Sequence, residues 1–511
     1  MNYANLFRAT LPETALEIAA LIVLVVDLGF LRKAAQQVRT ASAALLGVLG
    51  CAAAAWAVVS SGCGFDFDGT PLLGWGGYIP AAQLGILTLT ALTLLILVGS
   101  VFTRHAGEFV AVILMSAAGG LVISAAQDLI VIFIGLELLS LGLYVLTAFS
   151  KKSGKSAEAA IKYYLFGGMS AAFLLFGFSY LYGLTGSTNL QHVFRGLYTA
   201  SAWQSAPLLY VAIVMIAAGL GFKVAAMPFH LWAPDTYEGA PAPAAAFIAS
   251  VSKIASFALL IGIGTAAWHA FDGAHLKSYV TVRISVSPTP PVFLGFRGAW
   301  METLAVLSAA SIILGNFAAL AQSSVRRLLA YSAIAHTGYI LLALAFFSYS
   351  PASAKAVLYY ILTYGLTTIG AFAVVDVVER ATGSDRMDSF LGLHKRNPTL
   401  AAVLLVLFLS LAGIPPLVGF WAKFNLFAAV LGISAGPVPF TLVALAVAFS
   451  AVSLYYYLQV LKRAYVMPGL DESPIRAHPV TTAVLVLIAA LVAVLGIFPS
   501  LLGNWIQSFY R

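Results

Sequence analysis

Charged side chains are scarce in this sequence. Asp, Glu, Lys and Arg make up 9% of the 511 residues, against 61% hydrophobic residues. A soluble domain carries about a quarter charged residues, so most of this chain has too little charge to face water. Cysteine is scarcer still, with only Cys51 and Cys63. Twelve residues along a helix separate two side chains by about 18 Å, which argues against a disulfide or a metal site and for small apolar filler. There is no cysteine cluster, no P-loop and no Gly-x-Gly-x-x-Gly in a strand–helix context, so nothing points to an iron–sulfur cluster or nucleotide held by this chain. No long polar segment interrupts the apolar runs, which implies one membrane domain without a soluble appendage. Glu13 and Glu17 fall within the first apolar run and no small-residue cleavage site follows, so that run is expected to be a retained helix.

What is present is a succession of apolar stretches near 20 residues, the length that spans about 30 Å of hydrocarbon. Fourteen spans are predicted, near 11–31, 41–60, 80–103, 107–126, 128–149, 156–182, 206–229, 241–270, 301–322, 325–347, 352–379, 398–432 (interrupted), 439–465 and 479–502. The predicted fold is therefore an all-α polytopic membrane protein. Its expected parts are three N-terminal helices (1–105), five helices over 106–270, five more over 301–465, and a last helix in 479–511.

The net charge of +8 is scattered through short loops. That is the pattern of topology signals rather than of a phosphate-binding patch, and it argues against a nucleic-acid partner. Of the 27 Lys and Arg, sixteen lie in loops after odd-numbered helices and seven on the other side with both termini. Four, Lys162, Lys223, Lys253 and Lys423, fall inside helices. Positive-inside logic puts both termini on the outer, periplasmic side of a bacterial inner membrane. One loop stands apart. Tyr279 to Val286 alternate in character and predict a short strand or hairpin ended by Pro288, Pro290 and Pro291.

The two sets of five helices echo each other. Tyr163-Tyr164 and Tyr359-Tyr360 each open the third helix of a set, and Gly221-Phe222-Lys223 matches Gly419-Phe420-Trp421-Ala422-Lys423. The Tyr-to-Lys separations are 60 and 64 residues. Because each set has an odd number of spans, the second copy must enter the membrane upside down, as in many transporters.

Ionisable groups inside spans are costly unless paired or hydrated, and they mark ion or proton paths. Glu137 sits in Ile134-Gly135-Leu136-Glu137-Leu138-Leu139-Ser140, where its neighbours for two turns are mostly apolar. Lys223 precedes Pro228 by five residues, so unwound backbone and water can reach it. Lys253 lies about twelve residues past Pro241 and Pro243, too deep to snorkel. Lys423 follows the break at Gly413-Ile414-Pro415-Pro416. Lys162, one turn inside its helix beside Lys151, Lys152 and Lys155, can snorkel to the surface. His230, beside Trp232 and Pro234, is expected at the membrane interface. His336 is either a relay or a structural histidine. Stepping back 26 residues from Tyr163 reaches Glu137, and from Tyr359 reaches Ala333, one turn from His336.

At these residues the chain resembles the antiporter-like membrane subunits of respiratory complex I, the NADH:quinone oxidoreductase. The resemblance rests on Gly135-Leu136-Glu137-Leu138-Leu139-Ser140-Leu141, on Lys223-Val224-Ala225-Ala226-Met227-Pro228-Phe229-His230-Leu231-Trp232-Ala233-Pro234-Asp235 with Tyr237-Glu238-Gly239-Ala240-Pro241 beyond it, and on Arg326-Arg327-Leu328-Leu329-Ala330-Tyr331-Ser332. It spans essentially the whole chain. Lysine at 423 separates it from the M-type subunits, which carry glutamate there. The absence of a lateral helix after the last span separates it from the L-type, leaving the N-type, called subunit 2 in mitochondria. The resemblance implies fourteen helices with inverted repeats and a proton path through Glu137, Lys223, Lys253 and Lys423. It also implies flavin, iron–sulfur clusters and quinone in partner subunits rather than on this chain. Neighbouring antiporter-like and small membrane subunits are the implied partners. Two other readings compete: a subunit of a multi-subunit sodium/proton antiporter, and a scaffold between neighbouring pumps.

Overall fold

The computed structural model describes residues 3–62, 64–67, 70–100, 102–197, 206–281, 291–346, 351–433, 436–469 and 473–510. Helix α1 (Tyr3–Ala9) precedes α2 (Leu11–Val25), which runs on through a π-helical turn over Val26–Phe30. Next come α3 (Gln36–Ser61), a hairpin of β1 (Phe65–Phe67) and β2 (Thr70–Leu73), and α4 (Ile79–Leu97). The first five-span group holds α5 (Ala106–Ala125), α6 (Leu129–Thr147), α7 (Gly154–Thr185), the short α8 (Leu190–Gly196), α9 (Ala206–Val224), the short α10 (Trp232–Gly239) and α11 (Ala242–Thr281). The second holds α12 (Pro291–Leu320), α13 (Val325–Ala345), α14 (Pro351–Thr382), the one-turn α15 (Leu393–Arg396), the half-helices α16 (Pro398–Ala412) and α17 (Val418–Ile433), and α18 (Pro437–Tyr465). Finally, α19 (Pro479–Ile497) spans and α20 (Pro499–Ser508) follows it.

Among the described residues, twelve helices are long and apolar enough to cross a membrane, and α16 and α17 are shorter apolar pieces. The half-helix pair and the continuous α2–π segment complete the fourteen spans expected. Helices satisfy every backbone group internally, which hydrocarbon demands. Two breaks interrupt the helices. At the first, α9 ends where Ala225 adopts a left-handed φ of 59°. At the second, Gly413 ends α16 with φ 88°.

The internal repeat is written into local geometry more clearly than into letters. Thr185-Gly186-Ser187 closes α7 and Thr382-Gly383-Ser384 closes α14, both with a left-handed glycine. Each threonine hydroxyl donates back to the carbonyl four residues earlier, Leu181 or Val378. The strand-like segment that follows pairs with the N-cap of the second helix of its set, Asp128 with Asn189 and Ser324 with Arg386. Small residues recur at an offset of 196, one less than that of the Thr-Gly-Ser caps: Gly119 presses on the backbone at Leu139, and Gly315 on that at Ala335. The two straps sit on opposite faces. Asn189 donates to Pro71 in the hairpin, whereas Gly383 and Asp385 line a polar cavity with Lys155 and Glu238. The copies are therefore inverted.

The predicted strand at 279–286 is not found in its first part. Helix α11 continues through Thr281, and the rest lies outside the described residues. A lone strand has no partner for its backbone groups, whereas a helix extended past the membrane satisfies its own. Cys51 is buried and free, and Cys63 lies outside the described residues.

Small residues at helix crossings let backbones approach closely. A Cβ at Gly119 would lie 2.6 Å from the Leu139 nitrogen, and one at Gly315 2.6 Å from the Ala335 nitrogen. Neither neighbour is a flexible side chain. Gly119→Ala and Gly315→Ala are expected to destabilise by about 1–3 kcal/mol. Gly168→Ala, with open space around it, should not. Thermal unfolding in detergent reads the difference.

Candidate proton-conducting site

Helix α6 brings Glu137 to the C-terminal turn of α9. The Lys223 ammonium lies 3.7 Å from Glu137 Oε1 and donates to Ser140 Oγ at 2.6 Å. Ser140 in turn donates to the Leu136 carbonyl. Lys223 is buried, while the Glu137 side chain keeps 28% of its exposure. The exposed face of α6 around it is apolar, with Ile130, Ile134, Leu141 and Val145 outward. A cation at a helix C-terminus is favoured by the carbonyls there, so the break at Ala225 helps hold Lys223.

The same break frees the Val224 carbonyl. Thr337 of α13 donates its hydroxyl to it at 2.7 Å, and the Lys253 ammonium donates to Thr337 Oγ1 at 2.8 Å. Lys253 also donates to the Ala333 carbonyl at 2.8 Å. One hydroxyl thus links the end of the Lys223 helix to the second lysine. Lys253 lies 5.9 Å from the centre of the Tyr364 ring. His336 packs on that ring and shares a 2.7 Å hydrogen bond between its Nδ1 and the Tyr360 hydroxyl.

Further along, the Lys423 ammonium stands 5.4 Å from the centre of the Tyr339 ring. It donates to the Ala412 carbonyl and to Ser450 Oγ, both at 2.8 Å. Ala412 is the last residue of α16, so the lysine of α17 satisfies a carbonyl left over by the break. A cavity of about 10 Å³, room for about one water molecule, lies between His336, Tyr360, Tyr364 and Ser410. Among the described residues no carboxylate comes within 4 Å of Lys253 or Lys423.

Lys162 stands apart from this line. Its ammonium meets Glu158 at 2.7 Å and Asp235 at 2.8 Å, with 40% of the side chain exposed. Asp235 and Glu238 also hold Arg327, at 2.8 and 3.1 Å, and Glu238 holds Lys155. Burial alone would raise the Asp235 carboxyl, but hydrogen bonds from Lys162 and Arg327 outweigh it and keep the carboxylate below its ordinary range. Glu238 is held low in the same balance by Lys155 and Arg327. Depressed carboxylates stabilise the fold above their unfolded pKa, and that stability is lost as pH falls through the folded value. His230, in the loop of the first break, is buried, and its Nδ1 has no partner among the described residues.

Sequence reasoning missed Ser140, Thr337, Tyr364 and Ser450. Ser140 was findable, because it lies three residues from Glu137 on one helical face and 196 residues before His336. Thr337 and Ser450 carry no sequence signal, since hydroxyls on apolar helices usually bond to their own backbone.

The family profile described as "NADH:quinone oxidoreductase/Mrp antiporter, TM" matches residues 126–287 and 280–450. The NADH-quinone oxidoreductase subunit N 2 of Acidobacterium capsulatum is 44% identical, covering 99% of both chains. Subunit N 1 of Roseiflexus castenholzii is 40% identical over 86% of this chain and 81% of its own. A chain of respiratory complex I from Thermus thermophilus with bound aureothin superposes with TM-score 0.74 at 32% identity, over 96% of this chain and 98% of that one. A chain of the Mrp complex from Dietzia, at 22% identity, has TM-score 0.78 over 98% of this chain and 52% of that one, and shares the fold. The profile covers more than half of the sequence and the subunit N proteins align along nearly all of it, so the chain belongs to the antiporter-like membrane-subunit family of NADH:quinone oxidoreductases and Mrp antiporters, among the N-type subunits.

Proposed function

We propose that this chain is a proton-translocating membrane subunit of an NADH:quinone oxidoreductase, moving protons through Glu137, Lys223, Lys253 and Lys423. The observation that supports this best is the single hydroxyl of Thr337, which joins Lys253 to the broken end of the Lys223 helix. Quinone reduction elsewhere in the complex shifts the Glu137–Lys223 pair, and the charge movement passes through Lys253 and the His336–Tyr360 contact to Lys423. Lys162 belongs to the charged cluster with Asp235 and Arg327, where it ties α7 to α10. His230 shapes the break.

Flavin, iron–sulfur clusters and quinone are assigned to partner subunits. The partly exposed Glu137 on an apolar face fits contact with a neighbouring membrane subunit. The face bearing Arg327, Lys155 and Lys162 is assigned to the cytoplasm of a bacterial inner membrane, with both termini on the periplasmic side.

Lys223→Ala in the assembled complex is expected to abolish this subunit's share of pumping while electron transfer to quinone continues. Proton uptake by vesicles with NADH as donor measures it, and undiminished pumping defeats the assignment. Thr337→Val keeps shape but removes the hydroxyl, so it should lower the proton-to-electron ratio without loss of assembly. A cysteine placed at the exposed Gln507 should react with a membrane-impermeant thiol reagent added from the periplasmic side only. Copurification with flavin-containing subunits separates this function from that of a sodium/proton antiporter. A scaffold role instead predicts normal pumping in every lysine variant.

A further inference from the structure

Helix α6 carries a second hydroxyl on the face that meets Lys223. Tyr144 lies four residues after Ser140 and seven after Glu137, and residues so spaced share one face of a helix. Long side chains on a helix lean toward its N-terminus, so the phenol reaches back along α6 toward Ser140. Its ring packs edge-on against Tyr163 and Tyr164 of α7, with centroids 4.8 and 5.8 Å away. Its hydroxyl fills a notch left by Gly167 of α7, where a Cβ would overlap it. Tyr163 in turn stacks on Trp232, whose indole N–H donates to the Phe222 carbonyl at 2.9 Å. The same aromatic brace therefore holds the residue before Lys223.

The Tyr144 hydroxyl is buried and has no hydrogen-bond partner among the described residues, although it adjoins Ser140. The reason lies at Ser140. Its Oγ gives its proton to the Leu136 carbonyl and accepts from the Lys223 ammonium at 2.6 Å. A phenol beside an acceptor already taken by an ammonium is left with its proton unbound. Buried hydroxyls are rarely left so, and this one is placed to use the serine once the lysine vacates it. The titratable groups facing the phenol are Glu137 on its own helix and Tyr163 and Tyr164 on α7, while Lys223 of α9 meets Glu137 and Ser140. Helices α5 and α11 also pack on α6, but Glu108 of α5 pairs with His105, and Lys253 of α11 is held by Ala333 and Thr337.

The geometry points to Tyr144 as the alternate donor to Ser140, a positioning residue that lets the Glu137–Lys223 pair open into a second hydrogen-bonded state. The inference rests on the reading of that pair as the switch of a proton-translocating subunit. In the closed state Lys223 donates to Ser140 and the phenol O–H is unpaired. When the ammonium withdraws, the phenol turns its O–H onto Ser140 Oγ, and Ser140 keeps its bond to Leu136. One hydrogen bond replaces another, and the tyrosine keeps its proton throughout. The unpaired phenol destabilises the closed state, and its bond to Ser140 stabilises the open one. Both effects favour opening.

The test is the proton-to-electron ratio of the assembled complex measured against pH. Lys223 must leave its partners before it can release a proton, so favouring the closed state moves the acid limb of the profile to higher pH. Tyr144→Phe keeps the ring on Tyr163 and deletes the O–H. Its acid limb is expected to rise by about one unit, a tenfold change in the opening equilibrium, with NADH–quinone electron transfer retained. In a Ser140→Ala background the same substitution is expected to move the limb no further, because the shared acceptor is gone. A wild-type profile in Tyr144→Phe overturns the inference, and so does an equal shift in the Ser140→Ala background, which makes the tyrosine a packing residue. If Tyr144→Phe fails to assemble, a ring-fluorinated tyrosine placed at position 144 decides. This stronger donor of nearly the same shape is expected to lower the acid limb, and an unmoved limb overturns the inference. Undiminished pumping in Lys223→Ala defeats instead the switch on which the exchange depends.

Discussion

Hydrocarbon solvates neither an ammonium nor a free carbonyl, and this protein makes each satisfy the other. Three lysines are buried where only a few polar atoms can reach them. Lys423 donates to Ala412, a carbonyl released by the break between α16 and α17. Lys253 donates to the Ala333 carbonyl and, through Thr337, reaches Val224, released by the break after α9. Leaving a buried carbonyl unpaired costs about 1–3 kcal/mol, and burying a lone charge costs more. A broken helix and a buried lysine are each unfavourable alone, and together they offset much of that cost. Such contacts are also the kind that can be exchanged. A carbonyl holds an ammonium without fixing its proton as firmly as a carboxylate does.

Around these contacts the packing is tight where mobility would be harmful. Glycines at helix crossings bring backbones together at Leu139 and Ala335, and Trp232 stacks on Tyr163 with centroids 4.3 Å apart. The second of these clamps α10 against α7, fixing the geometry downstream of the break. The charged cluster of Lys155, Lys162, Asp235, Glu238 and Arg327 ties α10 to α7 and α13 on one face. Exposed ion pairs contribute little singly, but this network shares carboxylates among three helices. It anchors α10 beside the break that ends α9.

The spans, the breaks and the four central ionisable residues were legible because each leaves a loud mark: a run of apolar letters, a proline, or a charge among leucines. The Lys223–Glu137 approach was proposed from chemistry, but the hydrogen bond from Lys223 to Ser140 was not, since a serine in a helix ordinarily bonds to its own turn. Partners brought in by tertiary packing, such as Thr337 and Ser450, had no signal at all. One expectation failed for an identifiable reason. The alternating residues from Tyr279 suggested a strand, but α11 continues through Thr281 and keeps those first backbone groups paired. His230, expected at the interface from its aromatic neighbours, has its side chain buried against the protein. The repeat was faint in composition and plain in geometry, because inherited features such as Thr-Gly-Ser caps are short.

The two copies keep a common frame and differ in what stands at equivalent points. Glu137 corresponds to Ala333 and Ser140 to His336, at the offset of 196 residues set by Tyr163 and Tyr359. In the first copy a carboxylate and a hydroxyl meet Lys223. In the second, the position of the carboxylate is empty of charge, and its backbone carbonyl receives Lys253 from the other copy instead. With no acid at Ala333, the first copy's lysine meets only a carbonyl and a hydroxyl there, whereas a second buried carboxylate would trap the ammonium as a fixed pair. The asymmetry therefore has a direction: charge is held firmly at the Glu137 end and loosely at Lys253 and Lys423. A proton on a loosely held lysine is available to leave, and the paired end supplies the switch that decides when.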